Sequence, residues 1–115
     1  MTVTIYHNPR CSKSRQTLQL LEQNNIEPKI VEYLKEVPDA DTIASILALL
    51  GIQPRDLMRK KEAEYQELGL DNPDLTDQQL IEAMVHTPKL IERPIVIKDG
   101  KAAIGRPPET ILDIL

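Results

Sequence analysis

The sequence predicts an α/β sandwich with a helical insertion between its second and third strands. Three observations indicate this class. A strand-helix-strand pattern opens the chain, apolar residues at helical spacing dominate its middle, and a strand hairpin followed by a helix closes it. At 115 residues we expect one domain, 1-115, with the insertion covering roughly 39-88.

The opening segment contains the first predicted βαβ unit. Residues 3-7, VTIYH, are a short β-prone run that ends at the turn dipeptide Asn8-Pro9. A helical pattern begins at Ser12, and the residues KIVEYL at 29-34 alternate apolar and polar side chains as a strand does. A crossover of this length favours parallel pairing of the two strands.

The middle of the chain predicts helices whose ends carry recognisable signals. Asp41 is the expected N-cap of a helix that ends at Gly51, and Pro54 suits the first turn of a short helix. Thr76 and Gln79 have the spacing of a capping box ahead of a further helix.

The last segment predicts two strands and a helix. Residues 94-97 form a strand, Asp99-Gly100 is a hairpin turn, and 101-104 is the return strand. The prolines at 107-108 suit the first turn of a helix, where an amide donor is not needed. The residues of this helix expected to face the core are Ile111, Leu112 and Leu115.

The composition excludes several classes of partner. The net charge of −4 disfavours phosphate backbones, and a chain without Phe or Trp lacks the aromatic platform on which single-stranded bases stack. We therefore expect no nucleic-acid partner. No apolar run has the length of a signal peptide or a membrane span, so we expect no membrane association. A single cysteine suits the reducing cytoplasm, where we place the protein.

The single cysteine lies in a cationic loop, HNPRCSKSR. Cys11 follows the first strand and precedes the first helix, whose free amide groups and dipole stabilise an anion. Arg10, Lys13 and Arg15 add positive charge that favours the thiolate over the thiol. Because its neighbours are polar on both sides, burial as a small apolar residue is disfavoured. The loop therefore predicts a nucleophilic thiol.

Two other residues of this loop have open roles. Ser14 is placed to donate a further hydrogen bond to the sulfur. His7 is equally compatible with a structural role and with a functional one, in which it orders the loop or influences the charge state of the thiol. We expect no metal site, because His7 and Cys11 would have to recruit the distant His86 without a second cysteine.

Three distant arginines each stand beside a predicted structural boundary. Taken singly, Arg59, Arg93 and Arg106 are most simply interpreted as solvated surface charges. If they converge, they form a pocket for a tetrahedral oxyanion, because guanidinium groups bind such oxygens in a bidentate manner. Spacing alone does not decide between these readings.

Four motifs together carry a family resemblance. HNPRCSKSR, DLMRKKE, IERPIVI and GRPPETILDIL resemble the glutaredoxin-dependent arsenate reductase family, and the similarity extends from Thr4 to Leu115. Within that family the chain is most similar to the short bacterial, arsenate-reductase-like branch. The resemblance implies a thioredoxin-like sandwich with a helical insertion.

The resemblance also implies roles for individual residues. Cys11 corresponds to the nucleophile, and Pro94 to the cis-proline of thioredoxin-like folds. The residues implied to hold the oxyanion are Arg59, Arg93 and Arg106. The residues implied to tune the thiolate or position its loop are His7, Asn8, Ser14 and Arg15.

The implied reaction is the reduction of arsenate to arsenite. The Cys11 thiolate attacks arsenate, and water leaves to give a covalent thiol–arsenate adduct. Because the chain has no second cysteine, the resolving thiols are external, namely glutathione as co-substrate and glutaredoxin as partner. The resemblance implies no bound cofactor, and we expect a monomer.

Two alternative functions remain open from the sequence. Thioredoxin-like transcriptional regulators that bind RNA polymerase use a C-x-x-C switch, whereas Cys11 and Ser14 give C-x-x-S, which cannot close a disulfide. A monothiol glutaredoxin-like oxidoreductase is compatible with C-x-x-S. That function would not depend on Arg59 or Arg93.

Overall fold

The computed structural model describes residues 2–115 and divides the chain into two compact units. One unit joins Met1–Glu36 to Arg93–Leu115, and the other comprises Val37–Glu92. The first unit holds the strands, and the second is the helical insertion, slightly wider than the predicted 39-88. That the chain folds as one domain stays a prediction. Within residues 2–115, no helix has the length and apolarity needed to cross a bilayer.

A four-stranded mixed sheet organises the first unit. The strands are β1 (Val3–His7), β2 (Lys29–Glu32), β3 (Ile95–Lys98) and β4 (Lys101–Ile104), in the order β2-β1-β3-β4. β1 pairs in parallel with β2 and antiparallel with β3, and β3 pairs antiparallel with β4. Because β1 and β4 run in the same direction, their carboxyl ends lie at the same edge of the sheet. This confirms the predicted α/β order.

Helix α1 (Ser12–Gln23) packs its apolar side against this sheet. Leu21 is fully buried, and Asn25 has the left-handed φ of 62° that ends the helical segment. The main apolar cluster of the first unit is aliphatic, and Tyr33 of the same unit is fully buried as well. The buried members of the cluster are Val3, Ile5, Leu21, Val96, Ala103 and Ile111.

The segment that closes the chain is a 3₁₀ helix, Pro108–Ile114, rather than an α-helix. Ile111 is fully buried as predicted, but Leu112 is 43% exposed, so the prediction that it faces the core was wrong. With three residues per turn, side chains at i and i+3 lie on the same face. Pro108, Ile111 and Ile114 therefore share the inward face, and Leu112 points outward.

The helical insertion confirms one predicted cap and corrects another. Thr76 and Gln79 form the predicted capping box, with N···O distances of 3.2 and 2.8 Å. Asp41 was the wrong N-cap, because Asp39 Oδ1 accepts the Thr42 N–H at 2.8 Å and Asp41 lies in the first turn. The helices of this unit are α2 (Ala40–Leu50), α3 (Ala63–Glu67) and α4 (Asp77–His86), with 3₁₀ turns at Pro54–Leu57 and Pro88–Leu90.

Arg55 links the first 3₁₀ turn of the insertion to α3 and the loop that follows it. Its Nη1 donates to the Tyr65 hydroxyl at 2.8 Å and to the Leu70 carbonyl, and Nη2 donates to the Asn72 carbonyl at 2.8 Å. A rigid guanidinium suits such a set of acceptors, because its donors are fixed in one plane. This arginine therefore has a structural role that the sequence did not reveal.

Gly105, which follows β4, is the tightest glycine in the first unit. An added Cβ would lie 2.5 Å from Thr17 Oγ1 and 2.9 Å from Pro94 Cγ. We expect Gly105→Ala to lower the free energy of unfolding by about 1–3 kcal/mol, because overpacking forces a buried neighbour to move. Urea denaturation measures this change. The double variant Gly105→Ala/Thr17→Ala should lose less free energy of unfolding than the two single variants together. Strict additivity of the two losses would contradict a steric cause.

Candidate active site

Cys11 lies at the sheet edge where β1 ends, as the N-cap of α1. Its N–H donates to the Asn8 carbonyl at 3.0 Å, and its carbonyl accepts the Arg15 N–H at 3.0 Å. The side chain is only partly exposed. Backbone hydrogen bonds therefore hold residue 11 at the positive end of a 12-residue helix, where an anion is stabilised.

Arg106 contacts the sulfur directly, although it lies 95 residues away in sequence. Its Nη2 donates to Cys11 Sγ at 3.3 Å, and its Nε donates to the Arg93 carbonyl at 2.7 Å. The Arg93–Pro94 peptide bond is cis, the isomer that the family resemblance implies. The structure thus brings Cys11, the predicted nucleophile, together with Arg106, a predicted oxyanion ligand. The backbone carbonyl of Arg93, a second predicted ligand, fixes the position of the Arg106 guanidinium.

A buried hydrogen-bond network supports the loop before Cys11. His7 Nδ1 lies 2.6 Å from Ser14 Oγ, and Ser14 Oγ accepts the Asn8 N–H at 3.0 Å. All three residues are buried. A hydroxyl has one hydrogen, and when the His7 ring is neutral with Nδ1 as acceptor, that hydrogen is donated to His7. Ser14 then supports the loop backbone rather than the sulfur.

The pKa of His7 is lowered, chiefly because burial disfavours the charged ring. The Glu32 carboxylate opposes this effect, and the Arg15 guanidinium adds to it. The folded protein therefore binds a proton at His7 less readily than the unfolded chain does. Stability from this residue is fully present above the ordinary histidine pKa, and it is lost as the pH falls below that value.

We expect the wild-type protein to lose more stability between about pH 7.5 and about pH 5 than the His7→Asn variant does. Asparagine keeps an oxygen that accepts the Ser14 hydroxyl, but it has no proton to gain. Urea denaturation at the two pH values gives the loss of stability for each protein. The titration of the other groups is common to both proteins, so it cancels when the two losses are subtracted. Equal losses in the two proteins would contradict the neutral state of His7.

The remaining loop residues hold the backbone around Cys11. Arg15 Nη1 donates to the Pro9 carbonyl at 2.9 Å, which links α1 back to the start of the loop. Asn8 Oδ1 accepts the Arg10 N–H at 3.0 Å. The two predicted loop residues, Asn8 and Arg15, therefore contact the loop itself.

Arg59 belongs to the helical insertion, where it contacts two carboxylates. Its Nη1 lies 2.6 Å from Glu62 Oε1, and its Nε lies 3.8 Å from Glu92 Oε1. Glu62 also lies 3.7 Å from Lys89 Nζ. Glu62 was not predicted as a partner of Arg59, although the spacing of three residues in RKKE is the spacing of a helical ion pair.

The chemical groups around Cys11 favour an anionic ligand. The Arg106 guanidinium, 3.3 Å from the sulfur, and the amino end of α1 both stabilise negative charge. Within residues 2–115, no three His, Cys, Asp or Glu side chains are grouped so that they could hold a metal ion. The site is suited to nucleophilic attack on an oxyanion.

The ArsC family model matches residues 6–114 of this sequence. The chain belongs to the ArsC family. This confirms the resemblance carried by the four motifs, and with it the thioredoxin-like α/β fold.

Similar proteins match this chain over almost its whole length. It is 55% identical to YfgD, a protein of Escherichia coli (strain K12) described as uncharacterised, over 98% of this chain and 96% of that one. It is 52% identical to an arsenate reductase of Haemophilus influenzae, over the full length of both chains. A solved arsenate reductase from Vibrio cholerae is 49% identical with a TM-score of 0.98, covering 100% of this chain and 98% of that one.

Proposed function

We propose that this ArsC family protein is an arsenate reductase with Cys11 as its nucleophile. The hydrogen bond from Arg106 Nη2 to Cys11 Sγ carries the proposal, because it puts an oxyanion ligand within reach of the attacking atom. Similar proteins from Haemophilus influenzae and Vibrio cholerae are named arsenate reductases. Arg93 is a second ligand in this proposal, and Arg59 is retained on the family resemblance alone.

In the first step the Cys11 thiolate attacks the arsenic atom of arsenate. A sulfur–arsenic bond forms, and one arsenate oxygen leaves as water after taking up protons, so arsenic stays pentavalent. Arg106 exchanges its hydrogen bond with the sulfur for one with an arsenate oxygen as the sulfur loses its negative charge. The amino end of α1 stabilises both the thiolate and the negative charge on the adduct.

The electrons for reduction come from two external thiols. Glutathione adds to the arsenic atom as a second water leaves, and the glutaredoxin thiolate then attacks the glutathione sulfur. That attack forms a disulfide between glutaredoxin and glutathione and leaves two electrons on arsenic, which becomes trivalent. Hydrolysis of the remaining sulfur–arsenic bond releases arsenite and restores Cys11. Both resolving thiols must come from outside, because Cys11 is the only cysteine. In this proposal the protein acts as a cytoplasmic monomer.

Reconstitution with purified components tests this function. The protein is given arsenate, glutathione, glutaredoxin and a system that reduces oxidised glutathione, and arsenite is measured. We expect arsenite to form only when both thiols are present. Arsenite formed without glutaredoxin would contradict the proposed electron route. If glutathionylated substrates were reduced but arsenate were not, the monothiol glutaredoxin alternative would replace the proposal.

The contact between Glu62 and Arg59 yields a prediction about arsenate affinity. Glu62→Gln keeps an oxygen beside Arg59 but removes a negative charge that opposes an incoming anion. We expect the KM for arsenate to fall by about two- to fivefold, the range of a partly exposed ion pair. Glu64→Gln is the matched control, because Glu64 contacts Lys89 at 2.7 Å in the same cluster of charges. An unchanged or raised KM for Glu62→Gln would contradict a role for Arg59 in binding.

A further inference from the structure

A cleft of about 270 Å³ lies beside the loop that carries Cys11. Its walls are the carboxyl ends of β1 and β2, the loop residues up to Arg10, and the turn that contains Leu34 and Lys35. Its volume is near the lower limit for pockets that bind small molecules, about 300 Å³. Neither Cys11 nor Arg106 lines it. The cleft is therefore separate from the contact between Arg106 and the sulfur.

The position of the cleft is one where α/β sheets commonly bind ligands. His7 and Glu32 are partners in the parallel register of β1 and β2, and both strands end there. Ligands of open α/β sheets bind outside the carboxyl ends of parallel strands.

The lining of the cleft combines both signs of charge with an apolar surface. Arg10 and Lys35 are cationic, Glu32 is anionic, and Leu34 is 42% exposed. Lys35 Nζ lies 3.7 Å from Glu32 Oε1, with the two side chains 80% and 40% exposed. An ion pair this exposed is weak, so both groups can exchange partners with a ligand. The cleft therefore suits a small peptide that carries carboxylates and an ammonium group.

We propose that this cleft binds the resolving peptide thiol, of the glutathione class, before it attacks the arsenic on Cys11. The inference rests on the proposed function. Arg10 lines the cleft and is bonded to Cys11, and adjacent Cα atoms are about 3.8 Å apart, so the cleft adjoins the residue that carries the adduct. Carboxylates of the peptide contact Arg10 and Lys35, its ammonium group contacts Glu32, and its backbone covers Leu34.

Charge reversal at the cleft tests the proposal kinetically. We expect Lys35→Glu to raise the KM for glutathione by about three- to tenfold, because one attraction becomes a repulsion, with a much smaller change in the KM for arsenate. Lys29→Glu is the matched control, since Lys29 is exposed at the opposite end of β2 and the change in net charge is identical. Equal effects of the two variants, or equal changes in both KM values, would overturn the proposal.

A binding measurement separates the cleft from the reaction. The full-length Cys11→Ser protein is titrated with S-methylglutathione, which cannot form a disulfide, while amide chemical shifts are recorded. We expect saturable shifts at Glu32, Leu34 and Lys35 that Lys35→Glu weakens. If these amides do not shift, the cleft proposal fails even when the wild type reduces arsenate. If they shift but the wild type forms no arsenite, the arsenate reductase proposal fails and the peptide-thiol site stands.

Discussion

Replacing Cys11 with serine should abolish arsenite formation, lowering the turnover by at least about four orders of magnitude. A serine hydroxyl at this position is a far weaker nucleophile than a thiolate, and no other thiol in the chain can replace it. The backbone bonds of residue 11 to Asn8 and Arg15 do not involve the side chain, so the loop should keep its conformation. Arsenite production in the reconstituted system measures the loss.

Two controls make this result specific to the nucleophile. The thermal unfolding of Cys11→Ser should match that of the wild type, which excludes a general loss of structure. Mass spectrometry should detect a glutathione-containing adduct on the wild type but not on the variant. Turnover by the serine protein at a wild-type rate would remove Cys11 as the nucleophile and leave the cationic loop without a chemical explanation.

Replacing Arg106 with alanine should lower kcat/KM for arsenate by about 10²- to 10³-fold, the usual effect of removing one donor that stabilises an oxyanion. The variant loses the guanidinium that lies 3.3 Å from the sulfur. It also loses the hydrogen bond to the Arg93 carbonyl that fixes the position of this group. Steady-state kinetics with arsenate as the varied substrate measures the change.

Arg106→Lys separates charge from geometry at the same position. Lysine keeps the positive charge but cannot donate to the sulfur and to the Arg93 carbonyl from one planar group. We expect it to recover part of the activity lost in the alanine variant. Lys101→Ala, at an exposed position on β4, is the control for removing a cation and should leave the kinetics unchanged. Arg106→Ala with wild-type kinetics would refute the oxyanion role.

The strands and turns of this protein could be predicted because their signals are local. In the Asp99-Gly100 turn both residues have positive φ values, 48° and 77°, as the dipeptide predicts for a tight hairpin. The Thr76 and Gln79 capping box lies within four residues. Both signals involve only residues that are close together in the sequence, so they can be recognised from the sequence alone.

Other features depend on geometry that spacing does not determine. A proline at the start of a helix is compatible with both α and 3₁₀ geometry, so the outward position of Leu112 could not be read from the sequence. The Ser14 hydroxyl contacts both His7 and Asn8, and its partner depends on how the loop folds around them. The proximity of Arg106 to Cys11 depends on the sheet order, which the family resemblance suggested but local patterns did not.

The division of the chain into two units has a consequence for the synthesis of this protein on the ribosome. The unit that carries the thiol is discontinuous, and β1 pairs with β3, which belongs to Arg93–Leu115. The sheet cannot close while only the first 92 residues have been made, because its third and fourth strands do not yet exist. Arg106 likewise reaches Cys11 only after residue 106 has been made. A nascent or truncated chain that stops before residue 106 therefore carries the cysteine without its arginine, and the contact between them forms only in a longer chain.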